Sequence, residues 1–341
     1  MSLEPIGPEE QLKVWKGRAE DTRPSLGTGF PTIDRKLFRD GFQPGTFVLV
    51  GGRTHTRKTG VVLNMMSSLL HEGRAVGFVS LDETPPGYIA KLCSVFTYQD
   101  EVESGFDAEW LDVNWDEAEA EAARELYGRM AARLTLSRGT RPSFDAMTEW
   151  LDDADSVAAR PEVVFVDYLA LLYRDDFSGA EVQRIPRLAE DLAVWTNEND
   201  VVTIAIHQVG RQSDGAGHMN VGDQPCMLEQ LKYGGEEMAD VVLGTFRPAL
   251  NHLGNLTYEE AEAWYRKVDV EEWSQAVERV RRYQDSTFLQ LLKNRPSQKG
   301  LLFRGVELVA PSESMFQREA TAEDLARLID FKEESERAAG A

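Results

Sequence analysis

Residues 48–60 read VLVGGRTHTRKTG. Gly52, Lys58 and Thr59 fall on the first glycine, the lysine and the hydroxyl residue of G-x-x-x-x-G-K-[S/T], the pattern of a phosphate-binding loop. Arg57 stands where the second glycine is expected. In such a loop the backbone N–H groups of Arg53, Thr54, His55, Thr56 and Arg57 would cradle phosphate oxygens at a helix N-terminus, where the dipole favours an anion. Lys58 would reach the β- and γ-phosphates, and Thr59 would ligate Mg²⁺. The stretch from Gly52 to Thr59 therefore points to ATP with Mg²⁺. The plainer alternative is a strand-to-helix turn carrying an exposed lysine.

Other residues could complete this chemistry. Asp167 ends the apolar run EVVFVD, and ligands of open parallel sheets sit outside such carboxyl ends. An acid there holds Mg²⁺, partly through water; otherwise it serves as a cap or turn residue. Asp82 and Glu83 follow FVSL, where one of them could polarise an attacking water or, more simply, cap the next helix. Gln208 ends VVTIAI-HQ and could sense the γ-phosphate, whereas His207 beside it reads equally as a packed residue. Neither a zinc-type Cys/His spacing nor a nucleophile elbow is found.

These residues need a scaffold, and the hydrophobic pattern supplies one. Apolar strands are expected at TFVLV, AVGFVSL, RLTLS, EVVFVD, VVTIAI, VVLGTF, FLQLLK and GLLFRGV. Helices are expected between the earlier strands, from KTGVVLNMMSSLLHEG (ended by Gly73) through PPGYIAKLCSVF and AEAEAARELYGRMAA to FDAMTEWLDDA, capped by Ser143, and EVQRIPRLAEDLAVWTNEND. Strands that are apolar throughout and separated by helices predict an α/β fold with a mostly parallel sheet covered on both faces. Residues 1–25 read as a polar lead-in with a short helix around Leu12, Val14 and Trp15. A core follows over 26–317, interrupted at about 251–286 by a charged helical segment, and 318–341 reads as a polar tail.

Composition bounds the function. The 341 residues are 42% hydrophobic and 28% charged, enough for a sizeable core. No apolar run approaches 18 residues, so no membrane partner is expected, and the N-terminus lacks a signal-peptide core. Two distant cysteines suit a reducing cytoplasm. A formal net charge of -21 would repel bulk nucleic acid, so any DNA contact must be a local basic surface.

Taken in order, TGFPTIDRKL, GFQPGTFVLVGGRTHTRKT, AVGFVSLDE, VVFVDYLALL, VVTIAIHQVGRQ, LKYGGEEMADVVLGTFR and LLKNRPSQKG resemble the RecA-type P-loop ATPase domain of DnaB-like replicative helicases. The resemblance runs from about 25 to about 317, outside the 251–286 segment. It implies a homo-oligomeric, hexameric ring that moves along single-stranded DNA and hydrolyses ATP between neighbouring subunits. It places Lys58 and Thr59 on the Walker A lysine and threonine, Asp167 on Walker B, and Asp82 on the catalytic acid of the family's SLE element. Gln208 falls on the glutamine that couples nucleotide to DNA, and Lys293 and Arg295 fall on the KxR pair that reaches a neighbour's site. Arg211 edges one channel-facing loop, and Lys232 lies near a second. Replication proteins are implied as partners, in a bacterial or phage-infected cytoplasm. Arg57 and the shortened acid Asp82 depart from the pattern, and no primase-contacting domain is expected ahead of the core. A RecA-like recombinase, a helicase loader and a weakly hydrolysing nucleotide-sensing scaffold are the competing readings.

Overall fold

The structure, a computed structural model, describes residues 7–99, 105–137, 142–154, 159–174, 180–209, 222, 224–231, 234–249, 283, 285–310, 314–322 and 324. Arg211, Lys232 and nearly all of the 251–286 segment lie outside them.

Apolar, β-branched stretches form the central strands β1 (Phe47–Gly52), β2 (Val76–Ser80), β4 (Val163–Asp167), β5 (Val202–Gln208) and β6 (Val241–Phe246). A short β3 (Leu134–Leu136) completes the parallel part, and β7 (Ser286–Asn294), β8 (Leu302–Val309) and β9 (Arg318–Glu319) extend it. The sheet order is β3-β2-β4-β5-β1-β6-β7-β8-β9. Every pairing from β3 to β6 is parallel, and those from β6 to β9 are antiparallel. The sheet is therefore mostly parallel, as expected, with an antiparallel margin formed by the late strands. β8 is also partly open, with Phe303 and Arg304 both exposed where its register with β7 shifts. β9 carries the sheet to Glu319, two residues into the stretch expected to be tail.

Because side chains alternate across a strand, the sheet has two cores. Val48, Val50, Phe78, Phe165 and Ile204 pack with Val61, Met65 and Leu69 of α3 (Lys58–His71) and Leu92 and Phe96 of α4 (Pro85–Gln99) on one face. Phe47, Leu49, Val164 and Val166 pack on the other face with Met147 and Leu151 of α7 (Phe144–Asp153) and with α8 (Glu181–Glu198). In α8, Ile185, Leu188, Ala189 and Leu192 make one stripe at helical spacing and are all fully buried. Each fully buried aliphatic side chain contributes roughly 1.5–3 kcal/mol, so these two faces hold the sheet rigid beneath the loops.

The expected helix ends are found. Ser143 accepts a hydrogen bond from Ala146 N at the start of α7, and Gly73 takes φ +74 where α3 stops. The lead-in forms α1 (Pro8–Glu20), on which Leu12, Val14 and Trp15 are exposed, and PTID forms the short α2 (Pro31–Asp34). α5 (Ala108–Val113), capped by Asp107, and α6 (Ala118–Met130) cover the side of α4. No described helix is long and apolar enough to cross a membrane.

Candidate nucleotide site

Strand register brings the candidate residues together. Gly52 ends β1 and lies opposite Gln208 of β5 on one side and Thr245 of β6 on the other. Asp167 ends β4 opposite Ser80 of β2, and its carbonyl accepts from Leu81 N at 2.8 Å. Asp82, the next residue, therefore emerges beside Asp167. All five strands end on the same side of the sheet because they are parallel.

The loop between β1 and α3 is held by its own side chains and by Thr245 and Arg247. Thr56 is fully buried; its Oγ1 donates to Arg53 O at 2.8 Å and lies 2.8 Å from Thr245 Oγ1. Arg53 Nη1 donates to Val209 O at 3.0 Å, and Arg247 Nη1 to His55 O at 3.3 Å. A Cβ at Gly52 would come within 2.2 Å of Thr245 Oγ1, so only glycine fits there. Arg57 is the N-cap of α3 with φ 59 and ψ 31, the left-handed region that glycine takes without strain. Its Nη1 donates to Asp285 O at 3.2 Å.

Lys58 Nζ donates to Arg53 O at 2.7 Å. Burial lowers its pKa to about 8, against the opposing pull of Asp167. Thr59 Oγ1 donates to Asp167 Oδ2 at 3.1 Å, and Tyr88 Oη donates to the same oxygen at 2.6 Å. Asp167 is 2% exposed. Burial raises its pKa, and the bonds from Tyr88 and Thr59 act the other way. A hydroxyl and a carboxylate in contact at the start of a helix are hard oxygen donors of the kind Mg²⁺ takes, with nucleotide phosphates supplying further oxygens. The residues present therefore fit the ion.

Asp82 is exposed at this rim, while Glu83 pairs with Lys91. Gln208 is half-buried beside Gly52, and His207 is buried in β5. Lys293 and Arg295 stand elsewhere. Lys293 pairs with Val242 near the start of β6, so the pair lies at the amino ends of the parallel strands. The two ends of β6 are roughly 17 Å apart at strand rise. Lys293 Nζ donates to Glu236 O at 2.7 Å and Glu237 O at 3.1 Å. Arg295 donates to Glu237 O at 2.9 Å and to Asp240 Oδ1 at 3.3 Å. Burial and the neighbouring Arg295 pull the Lys293 ammonium below its ordinary pKa.

Sequence reasoning missed Tyr88, Thr245 and Arg247. For Tyr88 a signal existed. Tyr88, Leu92, Val95 and Phe96 form one buried stripe on α4, and a buried phenol needs a partner for its O–H. Thr245 is a lone hydroxyl in the apolar run VVLGTF, while nothing marked Arg247.

This arrangement agrees with what the chain resembles. Residues 25–272 match the DnaB-like helicase C-terminal domain family. The replicative DNA helicase DnaB of Helicobacter pylori (strain ATCC 700392 / 26695) is 24% identical over 272 residues, covering 75% of this chain and 52% of that protein. A probable plasmid replicative DNA helicase of Chlamydia psittaci is 24% identical over 229 residues, 64% of this chain and 45% of its own length. The chain thus spans about half the length of these relatives. Among solved structures, one described as an ATPase domain superposes with a TM-score of 0.67 at 17% identity, covering 93% of this chain and all of that one (100%). A DnaB-like replicative helicase, described with its interactions with primase, gives 0.66 at 17% identity, covering 94% of this chain and 68% of that one. The nine-stranded sheet is accordingly of the RecA-like type, and the chain belongs to the DnaB-like helicase C-terminal domain family.

Proposed function

We propose that this chain is a Mg²⁺-dependent ATPase that drives movement along single-stranded DNA during replication. The observation that carries this reading is the Thr59–Asp167 hydrogen bond of 3.1 Å, which joins the start of α3 to the end of β4 beside Lys58. Mg²⁺, when bound, would neutralise charge on the β- and γ-phosphate oxygens. Thr59 and Asp167 would hold it. Lys58 would release Arg53 O and turn its ammonium to the phosphates. The backbone from Arg53 to Thr59 would orient them at the helix N-terminus. Asp82 would hold the attacking water by accepting its hydrogen bond, since Glu83 is engaged by Lys91. Gln208, in register with Gly52, would carry the state of the γ-phosphate into the segment that follows β5.

Lys293 and Arg295 lie too far from their own loop to serve it, which supports a ring in which they complete a neighbour's site. Arg211 and Lys232 would contact DNA in the channel of that ring, and the acidic remainder would exclude DNA from the outside. A hexamer in a bacterial or phage-infected cytoplasm, with replication proteins as partners, is the assembly this reading expects. A second reading, a nucleotide-sensing scaffold that hydrolyses weakly, draws support from the left-handed Arg57 and from Lys58 bonded to its own loop.

The test is the ATPase rate with and without single-stranded DNA, together with electron microscopy in an ATP analogue. DNA-stimulated turnover and closed rings support the motor. Slow, DNA-indifferent turnover supports the scaffold. Filaments point to a recombinase or loader, and separate monomers count against both the ring and the filament. Unchanged hydrolysis by both Lys58→Ala and Asp167→Asn would place the site elsewhere.

A further inference from the structure

The Asp167 carboxylate has a partner beyond the phosphate-binding loop. Tyr88 lies in the first turn of α4 and is 3% exposed. Its ring meets Phe78 of β2 edge-on, with centroids 4.7 Å apart and planes at 89°. That contact aims the phenol at Asp167 Oδ2, 2.6 Å away. An ionised carboxylate only accepts hydrogen bonds, so the phenol is the donor. Thr59 donates to the same oxygen. Two donors from two different helices converge on one oxygen, which fixes the plane of the carboxylate. The other oxygen, Oδ1, is then the one left to accept from a cation or its water.

We propose that Tyr88 is a positioning residue for Asp167 and, through it, for the divalent cation; this rests on the Mg²⁺-ATP reading above. Partners of a metal-binding carboxylate orient it, and their loss typically weakens metal affinity by about 10–100-fold. Tyr88 also sits six residues beyond Asp82, at the start of the helix that follows that acid. Its bond ties the acid-bearing turn to the end of β4.

The test uses the full chain with Tyr88→Phe, which keeps the ring against Phe78 and removes only the hydroxyl. Mn²⁺ serves as the probe, titrated with ADP present and read by electron paramagnetic resonance. Binding of a fluorescent ATP analogue is measured separately without metal, and Asp167→Asn is the control. Mn²⁺ affinity should fall about tenfold in Tyr88→Phe, with metal-free nucleotide affinity unchanged. The apparent KM for Mg²⁺ in hydrolysis should rise by more than kcat falls. Parent-like Mn²⁺ affinity in Tyr88→Phe, with weakened affinity in Asp167→Asn, would show that Tyr88 only packs and would overturn the inference. Parent-like affinity in Asp167→Asn would overturn the cation site itself, and this inference with it.

Discussion

At the carboxyl ends of the parallel strands, Asp167, Thr56 and Thr245 are buried; side chains of α3 and α4 bond to β4, and the loop after β1 bonds to β6. At the amino ends, Arg295 is 57% exposed, and it and Lys293 are tied mainly to backbone carbonyls of residues 236–237. At the first end the buried polar groups Asp167, Thr56 and Thr245 already have partners. The other presents cations whose described bonds hold the side chains in place without enclosing them. In our reading the first end binds a nucleotide and the second offers itself to another subunit.

The sharpest way to break this contrast is at the exposed end. If Arg295 serves a neighbouring site, Arg295→Ala should lower turnover by about 10³-fold, the lower range for an arginine supplied in trans, because it acts on charge that develops only in the transition state. ATP affinity should change little. Mixing Arg295→Ala with Lys58→Ala subunits should restore some activity, since mixed interfaces join an intact loop to an intact arginine. Full activity of Arg295→Ala alone would make the exposed end an ordinary surface.

The buried end should respond differently. Lys58→Ala removes the cation from the phosphates in both the ground state and the transition state. Turnover should drop by about 10²-fold or more, and ATP affinity should fall with it. A radioactive or fluorescent nucleotide binding assay beside the rate assay separates the two ends. Loss of kcat with binding kept marks Arg295, and loss of both marks Lys58. The same affinity profile for both variants would remove the distinction.

How far this was legible in the sequence follows the same divide. β1, β2, β4, β5 and β6 are buried on both faces, so each reads as an uninterrupted apolar run, and residues at their ends were found by position alone. Lys58, Thr59 and Asp167 were legible because the pattern ties residue type to a strand end, and the fold brings them together. What spacing could not give was contact between elements distant in the chain. Tyr88 reaches Asp167 across 79 residues, and Thr56 reaches Thr245 across 189. These pairings depend on strand order, which periodicity does not encode. The antiparallel margin was also hidden, since a buried strand such as FLQLLK carries no mark of its direction.

A pair of carboxylates, Asp34 and Glu72, sharpens the comparison along α3. Asp167 meets the start of that helix, where Thr59 and Tyr88 donate to it. Asp34 lies near Glu72 at the helix's other end; both carboxylates fall within 4 Å of a Cβ built at Gly27. Burial raises the Asp34 pKa to about 6 from 3.8; Glu319 and Glu72 add to the rise, and the hydrogen bond from Thr28 N opposes it. The folded value exceeds the unfolded one, so this residue's stabilising contribution is complete below about 3.8 and is lost as pH rises through about 6. The loss is on the order of 3 kcal/mol. Asp34→Asn keeps an acceptor for Thr28 N but cannot ionise. Denaturant midpoints at pH 4.5 and 7.5 (about 1 kcal/mol resolution) should differ less for the variant than for the parent, and the variant should be the more stable protein at pH 7.5. Parallel pH slopes for parent and variant would show that Asp34 does not titrate with folding.

The smallest expected effect concerns the other arginine, Arg57, at the buried end. Its φ of 59 costs roughly 1–2 kcal/mol relative to glycine. Glycine would relieve that strain but would loosen the unfolded chain by about 0.4–1 kcal/mol. It would also give up the hydrogen bond to Asp285 O, worth about 1 kcal/mol in this half-buried position. These terms nearly cancel, so the stability of Arg57→Gly should lie within about 1 kcal/mol of the parent. Function separates what stability cannot. If Arg57 is strain held in place by the Asp285 bond, the glycine variant should bind ATP at least as tightly and turn over at least as fast, because its backbone can approach phosphate without a side chain. A clear fall in affinity or rate would instead make Arg57 a working cation of the pocket, and the buried end would then share the chemistry assigned to Arg295.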